Sequence, residues 1–328
     1  MSASPKSKKK EKVVAVTGTS EFLGRNLIER LESDPHYTKI LALDVREPVG
    51  AARKTVFCPM DLTSPEAGQE LAELLRAHKV DTLAHLAFLS HPVHDETYAH
   101  ELQVIGTMHT LNAAAASRVR KLVMLGSTMT YGARPDNPNF LREEDPLRGL
   151  DDCPIVNDLV EAEQQLQRFS RKHPKIITTI LRMGCLLGTK VDGLVLRLLS
   201  RTTVPTVMGY DPLMQFLHEE DAMAAWKLAV DQDFRGAFNI VGPGVLPLST
   251  ALRLGGRIGM PIPHFLWENI GGLLWIFQAL EFPVSFVDYL RYLWVADGRK
   301  AREQMGFTPR YGSKQVLLDF VHGNGGQP

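Results

Sequence analysis

The chain is predicted to be an α/β protein built on a doubly wound parallel sheet, and three observations carry that prediction. Short apolar runs of strand length alternate with stretches whose apolar residues recur every three or four positions. The first junction between them is a glycine-bearing turn, Thr17-Gly18-Thr19-Ser20-Glu21-Phe22-Leu23-Gly24. Composition is that of an ordinary globular chain, 44% hydrophobic and 23% charged over 328 residues, enough for one large unit or two coupled lobes.

Residues 13–16 are continuously apolar, which suits a strand buried on both faces. Leu23, Leu27 and Leu31 then recur at helical spacing, with Ile28 beside them. A second strand fits 39–44, followed by a helix near 66–77, a strand at 82–86, a long helix within 97–116 and a strand at 121–125. Strands separated by helices of this length need parallel crossovers, and right-handed crossovers place helices on both faces of the sheet. Residues 132–154, rich in Pro, Asp and Gly, read as loop. Ile155, Leu159, Ala162, Leu166 and Phe169 mark a helix over 155–169, and strands follow at 176–181 and 237–240. No internal repeat is present. The sheet domain is expected over 12–184, with 219–243 returning to it; 185–218 and 244–323 are expected to form a smaller, partly interleaved lobe.

Formal net charge is zero, so no global field points to nucleic acid. Cys58, Cys153 and Cys185 are odd in number, far apart and without metal spacing, which points to a reduced, cytoplasmic setting. The charged N-terminus is followed by no apolar core of a signal peptide. The greasiest stretch, 270–280, is interrupted by Gln278 and falls short of the roughly 20 residues that span a bilayer. Lys6, Lys8, Lys9, Lys10 and Lys12 suggest a solvated tail over 1–11, or else an attachment to anionic headgroups at the inner face of a membrane. The aromatic C-terminal stretch includes Phe265, Trp267, Trp275, Phe286, Tyr289 and Trp294. It suits lobe core, oligomer packing, the lining of an apolar ligand site or a membrane contact. His91 and His94, with His85, Asp95 and His100 near in sequence, lack ligand spacing, so no metal is expected. Ser127 has no Gly-x-Ser-x-Gly elbow around it, so hydrolase chemistry has no support.

A glycine turn between strand and helix lets backbone N–H groups and the helix dipole face a pyrophosphate. Gly18 would permit the tight bend and Gly24 the close packing of helix on sheet. Asp44 closes the second strand, where a carboxylate accepts from a ribose 2′-hydroxyl. That favours NAD over NADP, with Arg46 as the residue that would receive a 2′-phosphate. The sheet domain is therefore expected to be Rossmann-type.

From here the chain resembles an extended short-chain dehydrogenase/reductase of the NAD-dependent epimerase/dehydratase family. Thr17-Gly18 to Gly24 is similar to that family's TGxxGxxG turn, and Asp61-Leu62 to its adenine-side pair. His85-Leu86-Ala87-Phe88 resembles the segment after the fourth strand, and Gly106-Thr107 with Leu111-Asn112-Ala113-Ala114 the helix after it. Ser127 to Tyr131-Gly132 resembles the SSxxxYG stretch that supplies a catalytic Ser. Later landmarks are Leu181-Arg182-Met183, Phe216-Leu217-His218 through Asp221, Phe238-Asn239-Ile240 and Gly306-Phe307 with Pro309. The likeness covers nearly the whole chain. It implies a cofactor held by Gly18, Ser20, Phe22, Leu23 and Gly24, then by Asp44, Val45 and Arg46, then by Asp61, Leu62, Leu86, Ala87 and Phe88. It also implies a small-molecule or nucleotide-sugar-like ligand, which could be apolar, and a homodimer or another protein partner.

Departures from the family fall on functional positions. The family places a Tyr and a Lys four residues apart on one helix face, where the ammonium lowers the phenol from its usual pKa of about 10 and makes it a proton acceptor. Setting Pro154 and Glu163 on the family's flanking Pro and Glu puts Ile155 on the Tyr and Leu159 on the Lys. Neither side chain titrates. Asn157 and Asp158 are turned off that face by helix geometry. Glu21 stands on the turn's middle glycine. At about 4–6 Å and an effective dielectric near 20 it would repel a phosphate by about 3–4 kcal/mol, less if it rotates into solvent. Gln103 stands where the family carries a supporting Asn. The expectation is a family-derived protein, with Ser127 retained, that has lost hydride transfer and works in binding, regulation or scaffolding. The competing expectations are two. One is an active epimerase/dehydratase or hydroxysteroid-like dehydrogenase on a nucleotide sugar or apolar alcohol; the other is a peripheral, lipid-modifying membrane protein.

Overall fold

The computed structural model describes residues 12–48, 53–189, 191, 193–267 and 283–324. The lysines at 6, 8, 9 and 10 and the apolar run 268–282, which includes Trp275, lie outside the described residues. Seven strands form one all-parallel sheet: β1 (Lys12–Thr17), β2 (Tyr37–Asp44), β3 (Thr55–Pro59), β4 (Thr82–His85), β5 (Lys121–Ser127), β6 (Ile177–Met183) and β11 (Gly236–Ile240). Their spatial order is β11-β6-β5-β4-β1-β2-β3. The order reverses between β1 and β4, and the crevice beyond the carboxyl ends of those strands is where open α/β sheets bind ligands.

Helices cover both faces, as buried strands require. Helix α1 (Phe22–Glu32) buries Leu27, Ile28 and Leu31 against one face, where α7 (Glu219–Asp231) buries Trp226. On the other face lie α2 (Ala67–Ala77), α4 (Gly106–Ser117) and α5 (Pro154–Lys172), with Leu71, Leu111 and Leu166 in a second apolar cluster. A third cluster fills the lobe, drawing Trp267, Phe286, Tyr289 and Trp294 together with Phe320 of the terminal helix α9 (Ser313–Asn324). The lobe's strands pair only in twos: β7 (Cys185–Leu187) with β10 (Phe216–His218), β8 (Thr203–Val207) with β13 (Ile258–Ile262), and β9 (Leu213–Met214) with β12 (Leu246–Pro247).

Periodicity predicts no strand between 45 and 65, yet β3 pairs in parallel with β2 at the sheet edge. Its residues are only half-covered, so it lacks the apolar run of its neighbours. The long helix expected within 97–116 is interrupted. A short helix α3 (Glu96–His100) passes through a wide π-type turn at Glu101–Ile105 before α4 begins. Residues 132–154 form the expected loop up to the start of α5 at Pro154, the first helical position, where its missing N–H costs nothing. No helix among the described residues is long and apolar enough to cross a membrane.

Candidate functional site

The turn after β1 is shaped by steric necessity at two glycines. Gly18 has φ +72°, and a Cβ there would lie 2.5 Å from the Leu86 carbonyl oxygen; one at Gly24 would lie 2.1 Å from the Gly18 oxygen. Glu21, in contrast, has φ −79° and ψ 163°, extended backbone that any residue adopts. The middle position of the turn thus needs no glycine for its own conformation, and the Glu21 side chain is exposed on the lip of the crevice. Asp44 already serves the turn: its Oδ2 accepts from Ser20 N at 2.9 Å and Ser20 Oγ at 3.0 Å. Oδ1 takes the Arg46 N–H at 3.3 Å. Val45 and Arg46 are exposed beyond it. Asp61 caps its own turn through Thr63 N and Oγ1, while Leu62, Leu86, Ala87 and Phe88 are buried. Carboxylates gather at this mouth. The Tyr98 phenol is raised first by burial and then by Asp61 and Asp44.

Beneath the turn, His85 is fully buried between two threonines. Thr107 Oγ1 donates to the Gln103 carbonyl at 2.6 Å, so it can only accept from His85 Nε2, 3.2 Å away. The proton is therefore on Nε2, and Nδ1 accepts from Thr17 Oγ1 at 2.8 Å. Thr17 Oγ1 in turn accepts the Leu86 N–H at 3.2 Å. Burial pushes the imidazole pKa down to about 3, which keeps this chain neutral.

Beyond the strand ends lies a cavity of about 220 Å³ whose wall is overwhelmingly apolar. Ser127, Ile155 and Leu159 all line it, with Phe22, Leu23, Leu86 and Phe88 from the nucleotide side. Ser127 Oγ accepts from Met129 N at 3.1 Å. Asn157 and Asp158 face elsewhere. Asn157 bonds the backbone of Leu150 in both directions, and Asp158 accepts from His100 Nδ1 at 2.8 Å. Gln103 is buried and sends its Nε2 to the Ile155 carbonyl at 3.4 Å, leaving Oε1 without a hydrogen-bond partner. The aromatic C-terminal residues divide: Phe286 and Trp294 line the cavity, Trp267 and Tyr289 are core, and Phe265 and Leu266 are exposed.

Local periodicity gives no sign of three further features. Ser90 and His91, in the loop after β4, line the cavity, with Ser90 Oγ 3.1 Å from His91 Nδ1. Cys185 also lines it; burial pushes that thiol up to about 12, so it is no thiolate. Behind Ser127, the buried Arg182 donates to both Glu163 oxygens, to Tyr131 Oη at 2.5 Å and to the Glu143 carbonyl at 3.2 Å. Burial alone would lower the guanidinium pKa, but Glu163 outweighs it. Tyr131 Oη donates to Asn239 Oδ1 at 2.8 Å, and Asn239 N donates to Glu143 Oε1 at 2.8 Å. Among the described residues, no three metal-capable side chains converge.

The adenosine and pyrophosphate half of a dinucleotide fits what is here in part: two glycines that let the turn close tightly on the sheet, a helix N-terminus and Asp44, with Glu21 at the position nearest a pyrophosphate. The end of the crevice at Ile155 and Leu159 offers a nicotinamide riboside no hydrogen bond from those two side chains.

Solved structures share this architecture. The UDP-glucose 4-epimerase of Thermus thermophilus, solved with NAD, superposes at TM-score 0.73 with 18% identity, covering 96% of this chain and 100% of that one. The dTDP-glucose 4,6-dehydratase DesIV of Streptomyces venezuelae, also solved with NAD, gives 0.73 and 19%, covering 95% and 96%. An uncharacterised protein of Mycobacterium tuberculosis is 31% identical over 324 residues, 97% of this chain and 85% of its own length. Residues 14–241 match the model of the NAD dependent epimerase/dehydratase family. With more than half its length matched and the parallel sheet, glycine turn and Asp44 in place, this chain belongs to the NAD-dependent epimerase/dehydratase family of extended short-chain dehydrogenases/reductases.

Proposed function

We propose that this chain is a family member that no longer transfers hydride through a Tyr/Lys pair and uses its crevice to bind a ligand, in a regulatory or scaffolding role. The observation that carries this reading is the shared cavity wall of Ser127, Ile155 and Leu159, with Asn157 and Asp158 engaged elsewhere. A proton acceptor must lie within hydrogen-bond reach of the proton it takes, and no phenol or amine lines this wall among the described residues. In the dinucleotide half, Gly18, Gly24, Ser20 and Asp44 would hold NAD, whose chemistry when bound is hydride exchange at the nicotinamide. Glu21 opposes its phosphates, and NADP would add a further anion among Asp44, Asp61 and Glu21. Calorimetric titration with NAD and a turnover assay with UDP-glucose test the proposal. Weak or absent NAD binding and no turnover are expected, and tight binding with turnover overturns it. The double substitution Ile155→Tyr with Leu159→Lys adds a second arm: activity gained from none supports the reading, and loss of an existing activity refutes it.

A second reading is favoured by one patch. Ile258 and Met260 on β13, with Met208, Tyr210, Phe265 and Leu266, are exposed apolar side chains concentrated on one ribbon of the lobe. Such a patch suits contact with a bilayer surface. Co-sedimentation with anionic vesicles, with and without residues 1–12, tests it; failure of both proteins to bind ends it.

A further inference from the structure

We infer that the cavity beyond Ser127 takes an uncharged, lipophilic ketone or alcohol, one oxygen acceptor on an apolar body. The inference rests on the binding role proposed above and names its ligand class.

The body follows from the wall. Ile155 and Leu159 of α5, Leu125 of β5, Met183 of β6, and Phe286 and Trp294 of the lobe enclose the space. A volume of about 220 Å³ has room for several waters, and each water needs two to four polar partners. The few polar side chains on this wall, Glu21, Ser90, His91 and Ser127, can serve only some of them, so much of the water here is readily displaced by an apolar solute.

The single oxygen follows from Ser127. Its Oγ is fixed by the Met129 N–H, and its own proton has no acceptor among the described residues. A hydroxyl donor in an apolar wall selects a ligand with a carbonyl or alcohol oxygen over a plain hydrocarbon.

The absence of charge follows from the rim. No lysine or arginine among the described residues lines the cavity, whereas Glu21 does. A carboxylate or phosphate on the ligand would be desolvated without a counter-ion and repelled at the entrance.

The test uses the full chain with ¹³C-labelled methionine and isoleucine methyls, titrated with 2-decanone and, separately, decanoate. The ketone is expected to shift the Met129, Met183 and Ile155 methyl resonances saturably, and decanoate to bind at least about tenfold more weakly. Ser127→Ala should weaken the ketone about fivefold, the loss expected for one hydrogen bond. Leu159→Trp should abolish the shifts while the circular dichroism spectrum stays that of the parent. No saturable shift with 2-decanone, or equal affinity for decanoate, overturns the inference. Ser127→Ala keeps the test sharp if the tryptophan variant misfolds, because unchanged ketone affinity there refutes the assigned foothold. NAD calorimetry together with the UDP-glucose turnover assay on the same sample separates the two levels. Turnover with NAD sinks the loss of hydride transfer and leaves ketone binding standing; no turnover and no ketone binding sinks only the ligand class.

Discussion

The buried imidazole under the nucleotide turn makes acid stability a direct probe of the site. His85 is fully buried, neutral and held at a pKa of about 3, against about 6.5 when unfolded. Below pH 6.5 the unfolded chain therefore binds a proton that the folded chain refuses, and stability falls as pH falls until about pH 3. One proton of difference is worth about 1.4 kcal/mol per pH unit once the unfolded imidazole is fully protonated, so moving from pH 6.5, where it is half protonated, to 4.5 costs about 2.3 kcal/mol through His85 alone. The perturbation is His85→Asn, which removes the titration and lowers stability by a pH-independent amount. Urea unfolding midpoints of both proteins between pH 7.5 and 4.5 supply the assay, and the difference between them isolates this group. Asp158, Glu143 and Asp288, which burial raises, titrate in both proteins. Lys121, lowered by burial to about 8, contributes its slope only above that value. Parallel curves for parent and variant across the acid range, or an imidazole that titrates above pH 5 in the folded protein by NMR, would refute the reasoning.

Three further outcomes are expected. Glu163→Gln leaves the Arg182 cation buried beside an uncharged amide and should cost about 3 kcal/mol or more in urea unfolding. Adding Arg182→Met should cost less than the sum of the single changes, and strict additivity would refute the coupling. Gly24→Ala drives a Cβ to 2.1 Å from the Gly18 oxygen and should cost about 3 kcal/mol, with an unchanged unfolding midpoint as the contrary result. Glu21→Gly should change stability by less than about 1 kcal/mol, because φ there is ordinary. It should raise NAD affinity about tenfold by calorimetry once a screened like charge is removed; equal affinity would show that Glu21 does not weaken NAD binding.

Most of the sheet was legible because its strands are buried on both faces, and continuous apolar runs such as 13–16 announce that directly. Strand β3 was not, since a half-exposed edge strand carries no such run. The π-type turn at Glu101–Ile105 was hidden because one extra residue per turn barely alters local spacing. In the site, Gly18 and Gly24 were readable from the turn they punctuate, and the convergence of Ile155 and Leu159 with Ser127 from helix spacing and family position. Sequence could not show that Asp44 is already occupied by Ser20, or that Glu143 reaches Asn239 across 96 residues, because those contacts depend on chain return. Nor could it show that Glu21 sits in relaxed backbone. Its identity predicts a clash of charge, and only the dihedral angles show that no backbone strain accompanies it.

The Arg182 hub also sets how freely different parts of this interior can change. One cation is shared by Glu163, Tyr131 and the Glu143 backbone, so any single replacement strands a charge or a lone pair in the interior. Escape needs two or three coordinated changes, a path with deep valleys between its steps. Ile155 and Leu159, which line a cavity, carry no such web of charged partners and can be exchanged one at a time. Architecture then acts as a ratchet on the hub while leaving the cavity wall free to vary.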